Sequence, residues 1–181
     1  MIGSDLSRMV SHALRHEPWL YELELDAEGW TSVESLVDAL RREDGWDELT
    51  AADVEAMVSS AVKQRHEIRE GRIRALYGHS LPGRIEKVRR DPPPVLFHGT
   101  SPSTVATILS DGLRPMGRQY VHLSGDVEMA RAVGARKAPA PVVLRVAAAE
   151  AAAEGVSFFF GNDRVWLADG VPARFIARAD V

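Results

Sequence analysis

Three arginines and one histidine lie where predicted helices or strands begin or end. They are Arg15 and His16 after the first helical pattern, Arg65 after the third, and Arg118 before a strand-like segment. An arginine guanidinium has a planar fork of N–H donors that meets two phosphate oxygens at once. The sequence has no glycine-rich phosphate loop, so we expect side chains to hold the anion. The pattern predicts an enzyme that clamps a polyanionic substrate between two lobes.

Each of these residues has a simpler explanation when it is considered alone. Arg15 could pair with an acidic neighbour such as Glu17, and His16 could cap carbonyls at the helix end. Arg65 could be an ordinary surface charge. His12 and His16 share a helix face at i and i+4, a spacing found in metal sites, but no glutamate follows His12 and no third ligand is evident. We therefore predict no metal site.

A second group of polar residues follows an apolar segment in the C-terminal half. His98, Gly99 and Thr100 come directly after residues 95–97, and a helical pattern begins near Pro102. A glycine lets a ligand approach the backbone closely, and Thr100 is placed to offer a hydroxyl to a diphosphate near a helix start. A plain strand-to-helix turn would have the same composition.

The segment after Arg118 alternates polar and apolar residues. Because side chains of a strand point alternately to opposite faces, Tyr120, His122 and Ser124 share one face. Such a face suits a cleft that binds a cofactor. Exposure of the same face to solvent is the alternative.

Three helical patterns and a hairpin position the first group. Apolar residues recur with helical spacing from Leu6 to Leu14, and Pro18 ends that pattern. Thr31 to Glu34 has capping-box spacing before a second helix, and Thr50 to Asp53 is a weaker variant before a third. Two β-rich segments flank Glu70-Gly71, which is typical of a hairpin. Three helices followed by a two-stranded wing predict a winged helix.

A stiff connection follows, and we place the lobe boundary there. The stretch from Arg89 to Pro94 contains three prolines and cannot continue a helix. The predicted lobes are therefore residues 1–90 and 91–181. The second lobe has strand-like segments at 95–98, 120–123, 142–146, 165–168 and 174–176, and helical patterns at 102–110, 126–135 and 147–154. It is predicted to be a mixed α/β lobe with a small sheet.

Composition narrows the class of protein. The chain has 181 residues, no cysteine and a net charge of −4, so disulfides and a cysteine nucleophile are excluded. Residues 1–62 carry a formal charge of −10, residues 63–90 carry +6, and residues 91–181 are balanced. A basic segment in an acidic protein favours local contact with a polyanion. No apolar run would span a bilayer and no secretory signal is evident, so we predict a cytoplasmic protein without membrane contact. A monomer is a separate expectation, which these patterns do not decide.

The ordered set of motifs resembles the tRNA 2′-phosphotransferase family. Ser7 to Pro18 is similar to the family's Ser-Lys-x-Leu-Ser-x-x-Leu-Arg-His-x-Pro, Leu25 to Trp30 to Leu-Asp-x-x-Gly-Trp, Lys63 to His66 to Lys-x-Arg-Phe, and Ile73 to Ser80 to Ile-Arg-Ala-x-Gln-Gly-His-Ser. The segments at 98–100 and 120–124 match the corresponding family segments as they stand. Arg8, His66 and Tyr77 depart from the usual lysine, phenylalanine and glutamine, and His66 and Tyr77 put the RNA preference in question.

The resemblance implies an α+β fold, with an N-terminal winged-helix lobe and an ADP-ribosyltransferase-like C-terminal lobe. It implies NAD as co-substrate and an RNA with an internal 2′-phosphate as substrate. That phosphate attacks the nicotinamide riboside C1″, nicotinamide leaves, and an ADP-ribosylated RNA phosphate forms. The ribose 2″-hydroxyl then attacks the phosphorus, which gives 2′-hydroxyl RNA and ADP-ribose 1″,2″-cyclic phosphate.

The resemblance also implies the site residues. Arg15, His16, Arg65 and Arg118 are expected to be catalytic: the arginines orient the phosphate and stabilise its charge, and His16 donates a hydrogen bond or assists proton transfer. The NAD pocket is expected to contain the second group: His98, Gly99, Thr100, Tyr120, His122 and Ser124. One alternative is an ADP-ribosyltransferase that acts on proteins or on terminal phosphates of nucleic acids. The other is a noncatalytic winged-helix regulator, which the acidic first 62 residues disfavour.

Overall fold

The structure, a computed structural model of the chain, describes residues 2–76, 88–116, 118–161 and 165–180. The chain divides into two units, Met1–Arg84 and Ile85–Val181. The proline-rich connection predicts this division after residue 90. Residues 77–80, which belong to the motif from Ile73 to Ser80, lie outside the described residues, and so does Gly117, the residue before Arg118.

The first unit contains the three helices that the periodicity predicts. They are α1 (Ile2–Arg15), α2 (Val33–Leu40) and α3 (Ala51–Ser60), with a short 3-10 turn at Pro18–Tyr21. Leu6, Val10 and Leu14 lie one turn apart on α1 and are at most 2% exposed. They pack with apolar residues of the other two helices in one core. Burial of this stripe fixes the orientation of α1, so its last residue, Arg15, is placed by the core.

The helix caps differ slightly from the prediction. Ser32, rather than Thr31, caps α2, because its hydroxyl accepts a hydrogen bond from the backbone N–H of Ser35. Thr31 instead belongs to the two-residue strand β1 (Thr31–Ser32). The variant at α3 is a complete capping box, in which Thr50 and Asp53 each accept from the other's backbone N–H. Both caps satisfy N–H groups that would otherwise lack a partner at the helix start.

The predicted hairpin is confirmed. Strands β2 (His66–Arg69) and β3 (Arg72–Ala75) pair in antiparallel register, and β1 adds to the other side of β3. Glu70 and Gly71 have φ values of 50° and 71°. Positive φ at both central residues is the requirement of a type I′ turn, whose twist matches that of the two strands.

The second unit contains two small antiparallel sheets. The strands are β4 (Val88–Arg89), β5 (Leu96–Thr100), β6 (Val121–Leu123), β7 (Val142–Val146), β8 (Phe158–Phe160), β9 (Trp166–Ala168) and β10 (Ile176–Arg178). One sheet has the order β10-β7-β5 and the other β4-β8-β9-β6. A bridge between Phe97 and Ser124 connects β5 to the end of β6. The helices are α4 (Val105–Asp111), α5 (Val127–Ala135) and α6 (Ala148–Ala153). The mixed α/β content of the prediction is therefore confirmed.

Three local assignments in this unit were wrong or missing. The strand predicted at 174–176 instead begins at Ile176 and continues to Arg178, because a 3-10 turn at Ala173–Phe175 precedes β10. Strands β4 and β8 were not predicted. Arg89, which we assigned to the connection, pairs instead with Phe159 of β8. Such two- and three-residue strands are too short to show a periodicity of their own. Among the described helices, none has the length and apolarity needed to cross a membrane.

Candidate active site

The first unit brings Arg15 and Arg65 together, although fifty residues separate them in sequence. A guanidinium nitrogen of Arg15, Nη2, donates to the backbone carbonyl of Arg65 at 3.3 Å. The same carbonyl accepts the N–H of Leu76 at 3.0 Å, just beyond β3. Arg15 is placed by the end of α1, and Arg65 by the start of the hairpin. Two of the four predicted catalytic residues therefore form one cluster.

The contacts of the neighbouring histidines bear on two of the simpler explanations, the pair of Arg15 with Glu17 and a metal site at His12 and His16. Glu17 does not pair with Arg15; its carboxylate contacts Nε2 of His12 at 2.8 Å. The other ring nitrogen of His12 bonds the Tyr21 hydroxyl at 2.8 Å. His16 is exposed directly after α1, with its ring centroid 6.2 Å from that of His12. Within the described part of the chain, no group of three or more metal-binding side chains is found.

The remaining arginines of the hairpin are paired within the unit. Arg69 and Arg74 contact the Glu67 carboxylate at 3.2 and 2.8 Å, and Arg72 contacts Asp26. Arg65 is exposed, and no carboxylate among residues 2–76 and the other described ranges pairs with it. The basic segment is thus partly neutralised by local ion pairs of Arg69, Arg72 and Arg74, and binding of an anion by Arg65 stays a prediction.

His66 is a member of this cluster that the sequence analysis treated only as a departure from phenylalanine. It is 3% exposed, and its Nε2 lies 3.1 Å from the Ser11 hydroxyl. Burial, together with the positive charges of Arg15 and Arg65, lowers the pKa of His66 from 6.5 to about 4. The imidazole is therefore neutral at pH 7. The family pattern has a phenylalanine at position 66. An apolar residue there is the sequence signal that indicates a buried position for His66.

The His66 pKa predicts a pH-dependent stability. The unfolded chain binds a proton at position 66 below about pH 6.5, whereas the folded chain resists protonation until about pH 4. The free energy of unfolding should therefore fall by up to about 3 kcal/mol as the pH drops through this range. His66→Phe should remove this slope, as measured by urea unfolding at several pH values. His66→Gln keeps a partner for Ser11 and cannot titrate, so it should flatten the slope equally; a wild-type slope in both variants would contradict the assignment.

In the second unit one hydrogen bond joins two of the predicted NAD residues, His98 and His122. Nδ1 of His98 donates to the carbonyl of His122 at 3.0 Å. His98, Thr100, His122 and Ser124 are all buried. Exposure of the His122 face to solvent, the alternative above, is therefore wrong for His122 and Ser124. Tyr120 is half-buried, and its ring packs edge-on against Phe159 with centroids 5.5 Å apart.

Gly99 was expected to let a ligand approach the backbone closely. The structure gives a different reason for a glycine at this position. A Cβ built on Gly99 would lie 1.7 Å from the carbonyl oxygen of Ala130 and 2.8 Å from the N of Gly134, both in α5. The space beside this Cα is therefore filled by helix backbone. Lys137, just after α5, donates to the Gly99 carbonyl at 3.0 Å. The glycine permits close packing of α5 on β5, and a role in binding NAD stays a prediction.

Thr100 and Arg118 are the remaining predicted site residues of the second unit. The Thr100 hydroxyl is 2.7 Å from that of Thr104, in the 3-10 turn before α4. Arg118 is half-buried in the second unit and its backbone N–H donates to Pro115. Convergence of Arg118 with Arg15 and Arg65 stays a prediction.

The chain matches known proteins over nearly its whole length. A family model described as "RNA 2'-phosphotransferase, Tpt1 / KptA family" matches residues 3–170. The chain is 51% identical to a probable RNA 2′-phosphotransferase of Acetivibrio thermocellus, over 96% of this chain and 95% of the relative. It is 51% identical to one of Bacillus thuringiensis subsp. konkukian, over 96% and 94%. A relative from Rhizobium leguminosarum bv. trifolii is 39% identical, over 97% and 94%. The chain is a member of the RNA 2′-phosphotransferase family, which is a family of transferases.

Proposed function

We propose that this protein removes an internal 2′-phosphate from RNA in an NAD-dependent reaction. The observation that carries the proposal is the contact between Arg15 and Arg65, which joins two guanidinium-bearing residues at one place in the first unit. The names of the relatives supply the reaction class, RNA 2′-phosphotransfer. A monomeric, cytoplasmic enzyme is part of the proposal.

We infer a winged-helix lobe for the first unit and an ADP-ribosyltransferase-like lobe for the second. The first inference is supported by three helices followed by the β2–β3 hairpin, with β1 paired to β3. The second is supported by two small antiparallel sheets with three α-helices among the described residues.

The chemistry of the polar side chains predicted to bind NAD in the second unit, four of them buried and Tyr120 half-buried, fits NAD. His98, Thr100, Tyr120, His122 and Ser124 supply imidazole, hydroxyl and phenol groups and no carboxylate. Neutral donors and acceptors beside aromatic rings suit an amide-bearing heterocycle and a hydroxylated sugar. When bound, NAD supplies the nicotinamide leaving group and the ADP-ribosyl group that receives the phosphate.

The arginines act on the RNA phosphate in this proposal. Arg15 and Arg65 hold the 2′-phosphate so that one oxygen faces the sugar carbon, which replaces a random encounter by a fixed approach. When the 2′-oxygen of RNA later leaves, negative charge concentrates on the phosphoryl oxygens. Guanidinium groups that are already in place stabilise that charge without rearrangement, and Arg118 is the third member of this set. His16 donates a hydrogen bond or assists proton transfer.

The reaction is tested by incubating the protein with NAD and a short RNA that carries one internal 2′-phosphate. Mass spectrometry should find RNA with a 2′-hydroxyl together with ADP-ribose 1″,2″-cyclic phosphate. The same RNA without the 2′-phosphate, or with only a terminal phosphate, serves as the control and should remain unchanged. A lasting ADP-ribosylated RNA or protein would favour the ADP-ribosyltransferase alternative, and RNA binding without NAD consumption would favour a regulator.

A further inference from the structure

A groove lies in the first unit between helix α3 and the hairpin. It has a volume of about 570 Å³. Its apolar wall consists of Val58 of α3, Ile68 of β2 and Leu76 just after β3, and Ser59 and Gln64 supply polar groups beside them. Leu76 is 43% exposed, which leaves a large apolar side chain open to a ligand. The α3–hairpin groove is therefore an apolar slot with a small number of hydrogen-bonding groups.

The α3–hairpin groove borders the arginine cluster through the two chain neighbours of Arg65. Gln64 directly precedes Arg65 in the chain, and His66, which follows Arg65, contributes to the groove lining. The N–H of Leu76 bonds the same Arg65 carbonyl that accepts Nη2 of Arg15. A ligand whose phosphate binds the two arginines would thus have its next chemical group at the mouth of this groove.

The charges around the groove favour an uncharged group of a ligand. Glu55 and Glu67 also contribute to its lining, and Glu67 is already paired with Arg69 and Arg74. A phosphate inside the groove would meet the Glu55 carboxylate without a compensating cation among the described residues of the lining, which disfavours an anion there. A flat, uncharged group with apolar faces and a polar edge can pack on the apolar wall and form hydrogen bonds with Ser59 and Gln64.

We propose that the α3–hairpin groove binds the base of the nucleotide that carries the 2′-phosphate. This inference rests on the proposed function. The C2′ atom that bears the phosphate is bonded to the C1′ atom that bears the base, so a phosphate held by Arg15 and Arg65 places the base one sugar ring away. The base packs its face on Leu76 and Ile68, and its edge meets the Gln64 amide.

The polar groups of the groove imply recognition of a base without strong choice among the four. The Gln64 amide and the Ser59 hydroxyl can each donate and accept hydrogen bonds. They therefore adapt to the different edges of the bases. The flat face of any base can pack on an apolar side chain. Binding in the groove should depend on the presence of a base, and the identity of that base should change the affinity little.

The test compares a 2′-phosphorylated RNA with the same RNA made abasic at the phosphorylated nucleotide. With the wild-type protein, the abasic RNA should have a KM about tenfold higher with little change in kcat, because it loses the apolar surface that the base buries against Leu76 and Ile68. Leu76→Ala should raise KM for the intact RNA, and the abasic change should then add little. Val62→Ala is the matched control, because Val62 is a fully exposed apolar residue in the connection between α3 and β2 and lies outside the groove lining. An abasic site several nucleotides away should have no effect.

Equal KM values for intact and abasic RNA with the wild-type protein would overturn the inference. So would an undiminished abasic penalty in Leu76→Ala. Failure of the proposed function has a different signature, since neither RNA would be dephosphorylated. In that case equilibrium binding of the two RNAs without NAD, measured by fluorescence anisotropy, decides whether the groove binds the base: tenfold weaker binding of the abasic RNA supports it, and equal binding refutes it.

Discussion

Arg65→Ala is expected to slow RNA dephosphorylation by about a hundredfold or more, the cost typical of removing one donor that stabilises developing negative charge. The main loss should fall on the phosphoryl-transfer step, so the variant should accumulate ADP-ribosylated RNA, detectable by gel mobility and mass spectrometry. Binding of NAD should change much less. The fold should persist, because Arg65 is exposed and Arg15 bonds to its backbone carbonyl, which alanine retains.

Arg69→Ala is the matched control for this variant. Arg69 is an exposed arginine of the same hairpin, but it is paired with Glu67. Its removal should leave turnover within about threefold of wild type, since exposed ion pairs contribute little. Arg65→Lys should recover part of the activity, because a lysine restores the charge without the planar fork. Full turnover by Arg65→Ala would remove Arg65 from the catalytic set.

Gly99→Ala is expected to destabilise the protein by roughly 3 kcal/mol or more, the upper part of the range for overpacking a core. The added Cβ would lie 1.7 Å from the Ala130 carbonyl oxygen, and backbone of a helix cannot turn aside as a flexible side chain does. Helix α5 must therefore move away from β5. Because β5 carries His98 and Thr100, we also expect weaker NAD binding in whatever fraction remains folded.

Gly125→Ala provides the comparison for this stability effect. No heavy atom lies within 4 Å of a Cβ built on Gly125, and its φ is not in the left-handed region. Its free energy of unfolding should change by less than about 0.5 kcal/mol. Urea unfolding of both variants measures the difference, and equal stabilities would show that α5 can shift at little cost.

Local patterns in the sequence predict most elements of the first unit. Apolar spacing from Leu6 to Leu14 defines α1, and the pair Glu70-Gly71 defines the hairpin turn, because each depends on neighbours within one turn of chain. The arginine and histidine types identify the candidate site for the same reason. The resemblance of several ordered motifs identifies the family, which the comparisons confirm.

Contacts between distant segments could not be predicted in this way. The hydrogen bond from His98 to the His122 carbonyl depends on the pairing of β5 with the end of β6, and neither segment encodes that register alone. The burial of His66 and the approach of α5 to Gly99 likewise depend on tertiary packing. Strand β4 forms through its pairing with β8, and β8 pairs in turn with β9.

The pairing of Val88 and Arg89 with β8 also determines where the second unit can be cut for separate production. A fragment that starts at residue 91 would lose β4 and the hydrogen bond from Arg90 to Phe158, which leaves the backbone of an aromatic strand as an unprotected sheet edge. Such edges recruit other chains and lead to aggregation. A fragment that starts at Ile85 retains its own edge strand and is the better choice for isotope labelling or ligand titration.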